Sequence, residues 1–261
     1  MLADYHIHTH FSDDSTYEME AATRKAVILG IDEICFTEHV DYGVKTDSNC
    51  NYTEYLKEYR RCNEKYKKQI VMKFGIEFGM QAHTIREFQL DFGQYDFDFV
   101  ILSCHQVDNK EFWNGEFQKG KTQNEFHQVY YEEILKVIRA YDGYSVLGHL
   151  DMIKRYDTVG EYPFEKIEGI VSDILTHVIS QGKGIEINTS CFRYDLKDWT
   201  PSKDILKLYR KLGGEIITIG SDTHQEEHLG YRIFQAQAIL KKNGFQKFCT
   251  FEKMRPIFHD L

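Results

Sequence analysis

The stretch DYHIHTHFSDDS (residues 4–15) sets His6, His8 and His10 at alternate positions and follows them with Asp13 and Asp14. Side chains two apart share a face of a β-strand, so His6 and His8 would project together from the end of a first strand. Imidazoles and carboxylates without thiolates are the donor set of borderline divalent ions such as Zn, Mn or Fe. A single strand end cannot enclose an ion, so the rest of the chain must deliver further ligands to the same place.

Six later segments repeat the pattern of a short apolar run that ends on a polar group. After MLADYHIH (1–8) come IDEICFTEH (31–39), VMKFGIEFG (71–79), DFVILSCHQ (98–106), YSVLGHLD (144–151), GIEINTS (184–190) and IITIGSDTH (216–224). Between them lie stretches with helical periodicity near 17–29, 53–68, 124–141, 163–181, 201–212 and 228–242, the alternation expected of βα units. The link MQAHTIREFQLDFGQY (80–95) has the weakest helical pattern of the set.

The runs end on His6 and His8, His39, Glu77, His105, His149, a segment with Asn188 and Arg193, and finally Asp222 with His224. In an open seven-stranded sheet the outer strands would stand about 29 Å apart at roughly 4.8 Å per step, far too wide for ligands about 2 Å from shared ions. Closing the sheet into an α/β barrel gathers those ends on the face where such barrels carry their sites. Glu77 closes an apolar run, where an unpaired carboxylate is unfavourable unless a cation or hydrogen bonds meet it. Eight or nine such donors suffice for two or three ions.

Bulk properties agree. The 261 residues carry a formal charge of −9, which argues against a polyanion-binding surface and makes nucleic acid an unexpected partner. The six cysteines form no C-x-x-C pair, no leader is evident, and no run of about 18 apolar residues marks a membrane span, which together point to a cytoplasmic protein. Three prolines and no low-complexity linker suggest one domain over 1–261. The polar stretches at 41–54 and 108–123 are long enough to be loops over a site, and Trp113 in the second could close over an imidazole ring.

The segments HIHTHFSD, FTEH, GIEFG, SCHQ, GHLDMIKRYD, INTSCFR and GSDTH together resemble the PHP (polymerase and histidinol phosphatase) metallohydrolases, in particular the stand-alone histidinol-phosphate phosphatases, over nearly the whole chain. The resemblance implies a distorted (β/α)7 TIM-like barrel and a di- or trinuclear centre of Zn, Mn or Fe. It places one ion on His6, His8, Glu77 and Asp222. Glu77 would bridge to a second ion held by His105 and His149, and a third would lie between Asp14, His39 and His224. Asp14 stands where many relatives carry His, and Asp13 is its neighbouring alternative. Arg155 and Arg193 match the family's phosphate-binding arginines, and a guanidinium fork suits phosphate oxygens. The small phosphorylated substrate implied is L-histidinol phosphate of histidine biosynthesis, attacked in line by a metal-bridging hydroxide. Glu77, Asp222 and His224 would be catalytic; the proton for the departing alkoxide could come from bound water, Asp222 or His224.

Other readings remain at this stage. The alternatives are a PHP nuclease or phosphoesterase on another ester, and a non-catalytic metal-binding regulatory domain. An ion pair with Asp157 would be the structural reading of Arg155. His10 reads as a rim residue, Cys104 as a core thiol, and His83, His127, His177 and His259 as surface or packing residues. His228 sits near the last ligand pair at the expected start of a helix. The oligomeric state is not encoded in any of these features.

Overall fold

The computed structural model describes residues 1–261. The chain runs β1 (Ala3–Ile7), α1 (Met19–Ile28), β2 (Glu33–Val40), α2 (Tyr52–Tyr66), β3 (Val71–Gly79), α3 (Ile85–Gln94) and β4 (Phe99–Ser103). A small hairpin of β5 (Gln106–Val107) and β6 (Lys110–Glu111) follows, then α4 (Gln123–Ala140), β7 (Val146–Leu147) and α5 (Glu168–Ser180). The last third contains β8 (Gly184–Asn188), α6 (Lys203–Lys211), β9 (Ile217–Gly220), α7 (Ile233–Lys242) and a second hairpin, β10 (Lys247–Glu252) with β11 (Arg255–Asp260).

Seven strands pair in parallel in the order β1-β2-β3-β4-β7-β8-β9. The ring closes at the mouth, where Ile7 bridges Thr223, the His8 amide donates to the Thr223 carbonyl at 2.7 Å and the Thr223 amide donates to the His6 carbonyl at 3.1 Å. The distorted (β/α)7 barrel expected from the sequence is therefore the observed fold, with its last seam made just beyond β9.

Local chemistry explains three of the helix starts. Thr122 and Glu125 form a reciprocal capping box that starts α4, and Asn51 and Ser202 accept first-turn amides of α2 and α6. The weak pattern at 80–95 is nonetheless a helix. Its core-facing position Asp91 is a buried carboxylate that accepts the hydroxyls of Tyr42 and Tyr52, each at 2.8 Å, so a polar residue interrupts the apolar period. β7 is only two residues long and is followed by Gly148, where a side chain would strike Ile101 and Ser103.

The β10-β11 hairpin was not among the seven expected runs. It plugs the end of the barrel where the strands begin. The Phe251 amide donates to the Tyr5 hydroxyl at 2.8 Å, the Lys253 amide donates to Asp98 at 3.1 Å, and the Phe251 ring packs 5.0 Å from Phe99. All six cysteines are free and buried. No helix is long and apolar enough to cross a membrane.

Candidate metal centre

The opposite end of the barrel collects the polar strand ends around one carboxylate. Glu77, fully buried on β3, lies within reach of five imidazoles: His149 Nε2 at 2.9 Å, His39 Nδ1 at 3.0 Å, His6 Nε2 at 3.1 Å, His105 Nε2 at 3.3 Å and His8 Nε2 at 3.4 Å. Asp222 Oδ1 adds a second anionic pole, 3.7 Å from both His6 and His8 and 3.6 Å from His224 Nδ1. Asp14 Oδ2 lies 3.2 Å from His224 Nε2 and 3.6 Å from His39 Nε2.

Four sets of three donor atoms fall within 4.8 Å of one another: His6, His8 and Asp222; His6, Glu77 and His149; His39, Glu77 and His105; and His8, His39 and His224. All nine residues proposed from sequence thus converge on one place. His39 differs in detail from the expected grouping, because its Nδ1 is closer to Glu77 than its Nε2 is to Asp14, so it faces two sets at once.

Hydrogen bonds fix which nitrogen three of these histidines turn inward. His6 Nδ1 donates to Glu186 at 2.6 Å, His105 Nδ1 donates to Asp41 at 2.9 Å, and His8 Nδ1 donates to the Ser12 hydroxyl at 3.1 Å. Ser103 donates to Glu77 at 2.6 Å. Such partners orient metal-ligating imidazoles and increase their basicity. His8 Nε2 is buried with no hydrogen-bond partner, the situation of a nitrogen whose partner is a cation. The residues present therefore fit divalent ions.

Sequence reasoning missed Glu186 and Asp41. Glu186 was detectable in principle, since GIEIN (184–188) buries an acid in an apolar strand just as GIEFG (75–79) does. Close approach to these supporting acids requires glycine: a Cβ at Gly220 would collide with Glu186, and one at Gly79 with Asp41. Asp222 itself adopts φ 57°, a left-handed conformation that a non-glycine residue holds only when its surroundings enforce it.

The electrostatics follow from this crowding. Burial pushes Glu77 upward, but His6, His105 and His39 outweigh it and hold the carboxyl well below its ordinary range. Asp222 is lowered likewise by His6, His224 and Arg155 against its burial. Burial and the neighbouring His39 and His224 push His8 well down, so it is neutral. Burial also disfavours charge on His39, yet Asp14 and Glu77 raise it to about 9. His6 and His105 are raised well above the ordinary value against their burial, His6 chiefly by Glu186 and His105 chiefly by Asp41.

Above this cluster opens a cavity of about 750 Å³. Arg155 and Arg193 line it. Arg155 is almost fully buried, lies over the Tyr194 ring at 3.8 Å, donates to the Ser190 hydroxyl at 2.7 Å and comes within 3.8 Å of Asp222 Oδ2. Arg193 donates to the carbonyls of Ser221 at 2.7 Å and Asp222 at 2.6 Å. Trp113 also lines the cavity, beside Lys45, whose Nζ is 5.0 Å from the indole centroid.

The profile of the PHP domain matches residues 4–190. The chain belongs to the PHP family. Histidinol-phosphatase of Lactococcus lactis subsp. lactis is 35% identical over 256 residues, which cover 97% of this chain and 95% of the relative. The probable histidinol-phosphatase of Clostridium acetobutylicum is 30% identical over 258 residues, covering 97% and 98%. The crystal structure of histidinol phosphate phosphatase from L. lactis, complexed with zinc, L-histidinol and phosphate, matches with a TM-score of 0.91 and 33% identity over 98% of each chain. The PHP match contains the residues from His6 to Arg155. Asp222, His224 and Arg193 lie beyond it and reach the same cavity through the last two barrel strands.

Several residues set aside in the sequence are placed elsewhere. His10 is at the rim, 3.5 Å from Glu18, and Asp13 pairs with Lys45 at 2.8 Å rather than with an imidazole. Cys104 is a buried thiol that burial pushes well up, which rules it out as a ready nucleophile. His228 lines the cavity in a short turn before α7, and Gln225 Nε2 is 2.9 Å from its Nε2. His83 lies 3.2 Å from Asn109, His177 donates to the Ile138 carbonyl and His259 lies 2.8 Å from Thr250. Asp157 does not pair with Arg155; it bonds His127, which is buried rather than superficial.

Proposed function

We propose that this PHP enzyme hydrolyses L-histidinol phosphate to L-histidinol and inorganic phosphate in cytoplasmic histidine biosynthesis, as one catalytic unit over residues 1–261. The observation that carries the reading is the position of Glu77, a buried carboxylate facing five imidazoles beneath a cavity lined by two arginines. Identity of 35% to a histidinol-phosphatase along almost the whole chain supports the substrate.

His6, His8, Glu77, Asp222, His105, His149, His39, His224 and Asp14 would hold two or three divalent ions of the Zn, Mn or Fe type. When bound, such ions neutralise charge on phosphoryl oxygens and ease ionisation of the attacking water. The remaining work falls to the side chains. Arg155 and Arg193 bind the phosphate and stay with it as charge grows on its oxygens. Arg155 is held for this by Ser190 and Tyr194, and its Nε has no partner within the protein. Water attacks phosphorus, the ester P–O bond breaks, and a proton must end on the departing alkoxide. Asp222 and His224 line the cavity, and either of them or a bound water would supply that proton. Trp113 offers an aromatic wall for the imidazole of the leaving group.

The test is phosphate release after reconstitution separately with Mn, Zn and Fe(II). L-Histidinol phosphate should give kcat/KM of about 10⁴ M⁻¹s⁻¹ or more and clear preference over other phosphomonoesters. Equal rates on every monoester would overturn the substrate, and no release with any metal would overturn the chemistry.

A further inference from the structure

Arg155 belongs to a segment with little internal support. Residues 149–157 run from the inward-facing His149 through a 3₁₀ turn at Met152–Tyr156, whose own bonds include Met152 N to the His149 carbonyl at 2.8 Å and Lys154 N to the Asp151 carbonyl at 3.2 Å. A turn of this length is a weak scaffold for a phosphate ligand, so its position must be set from outside.

Asp151 accepts the Ser202 amide at 2.9 Å, Lys154 donates to the Trp199 carbonyl and the Tyr156 carbonyl accepts from Gln118 at 3.3 Å, while the end of the segment at Asp157 is held from one face of α4. Gln123, His127 and Tyr130 are spaced by four and three residues and point the same way. Gln123 Nε2 donates to Asp157 Oδ2 at 2.8 Å, His127 Nε2 donates to the same oxygen at 2.8 Å, and the Tyr130 hydroxyl donates to the Leu150 carbonyl at 3.2 Å. The Val159 amide donates to Asp157 Oδ1 at 2.9 Å. The His127 and Asp157 side chains are 3% and 2% exposed, and the imidazole stacks on Tyr162 at 4.2 Å with the rings 9° apart. His127 Nδ1 is buried without a partner. A buried carboxylate and a half-satisfied imidazole are a poor way to fill space, since an apolar pair would avoid their desolvation. They do fix direction, because a shared, short, charge-assisted hydrogen bond defines where Asp157 sits. Asp157 is two residues from Arg155, whose guanidinium points away across the cavity to Ser190 and Asp222.

We propose that His127 and Asp157 are a positioning pair: by pinning the end of the 149–157 segment to α4 they hold Arg155 where it meets the substrate phosphate. The proposal rests on the reading of Arg155 as a phosphate ligand. Its signature is a loss of phosphate affinity with the metal centre intact.

The experiment uses the full-length, metal-loaded enzyme and reads the inhibition constant of inorganic phosphate, KM and kcat, metal content and Tm. Asp157→Ala and His127→Ala should each raise the phosphate inhibition constant and KM together by about tenfold, with kcat within about threefold and metal content unchanged. The double variant should be no worse than either single one, because both remove the same link. Asp157→Asn, which keeps an acceptor for His127 Nε2, should recover most of the affinity; if the alanine variants do not fold, His127→Phe, which keeps a ring against Tyr162 and removes the Nε2 donor, stands in as the pair variant. Arg155→Ala is the control. If it leaves phosphate inhibition unchanged, the reading of Arg155 fails. If it weakens phosphate while the pair variants stay within about twofold of wild type, or if the pair variants lose metal and kcat instead, the positioning proposal is overturned.

Discussion

At the mouth of the barrel Glu77 and Asp222 are buried among imidazoles and Arg155, and both are held well below the usual carboxylate range although burial opposes it. At the base Glu33 is buried against Tyr5 beneath the β10-β11 hairpin, and there burial wins and its carboxyl is raised. Glu38 sharpens the contrast: one residue from His39 but turned onto Thr9 and Ser12, it too is raised. Depth in the barrel does not decide whether an acid stays charged. Hydroxyl donors are too weak to offset desolvation, whereas several cationic imidazoles are strong enough. The base is therefore a structural plug, and the mouth stores the negative charge that divalent ions require.

The contrast breaks most sharply at its centre. Glu77→Gln should lower kcat/KM for L-histidinol phosphate by at least about 10²–10³-fold, because it removes the anion that the surrounding donors share. Phosphate release and metal content of the folded variant check this, and near-normal turnover would dismiss Glu77 as the hub. Next in size, Glu186→Gln should weaken metal affinity by about 10–100-fold by loosening His6 and the His149 backbone, as competition with a chelator would measure.

A pH experiment separates the two ends further. The raised His39 keeps a proton in the metal-free native state, a stabilisation complete below about 6.5 and lost as pH rises through about 9. Zinc binding at pH 7 should therefore release protons, with affinity rising by about tenfold per pH unit for each proton released and the His39 share fading near 9. Calorimetry in buffers of different ionisation enthalpy would detect it, and proton-neutral binding at pH 7 would count against the imidazole-rich mouth. The smallest effect belongs to the base. Tyr5→Phe removes the hydroxyl that bonds Glu33 and receives the Phe251 amide, and should destabilise by about 1–3 kcal/mol in denaturant melts. Turnover per folded molecule should stay within about twofold.

The strand ends at the mouth were legible because nearly all announce themselves locally, as an apolar run that stops on His, Asp or Glu, the exception being the run that stops on Asn188. What supports them was not. Glu186 and Asp41 bond His6 and His105 across 180 and 64 residues of chain, and no local period encodes a contact at that separation. His127 reads as an ordinary helix residue until Asp157 arrives beside it, and the weak pattern at 80–95 hides a helix whose buried Asp91 serves Tyr42 and Tyr52. The terminal hairpin escaped for a related reason. β11 pairs with β10 alone and has most of its side chains exposed, so its strand character comes from that pairing rather than from an apolar face.

By itself the sequence determined the βα alternation, the number of barrel strands and the donor set at their ends, because side-chain period and residue chemistry are properties of short segments. Only the tertiary structure decided which nitrogen of each histidine faces Glu77, which acids stay charged, and which buried partners hold the arginines. Those depend on distances between segments far apart in the chain, and desolvation and Coulomb energies take their sign from what lies within a few ångströms in space.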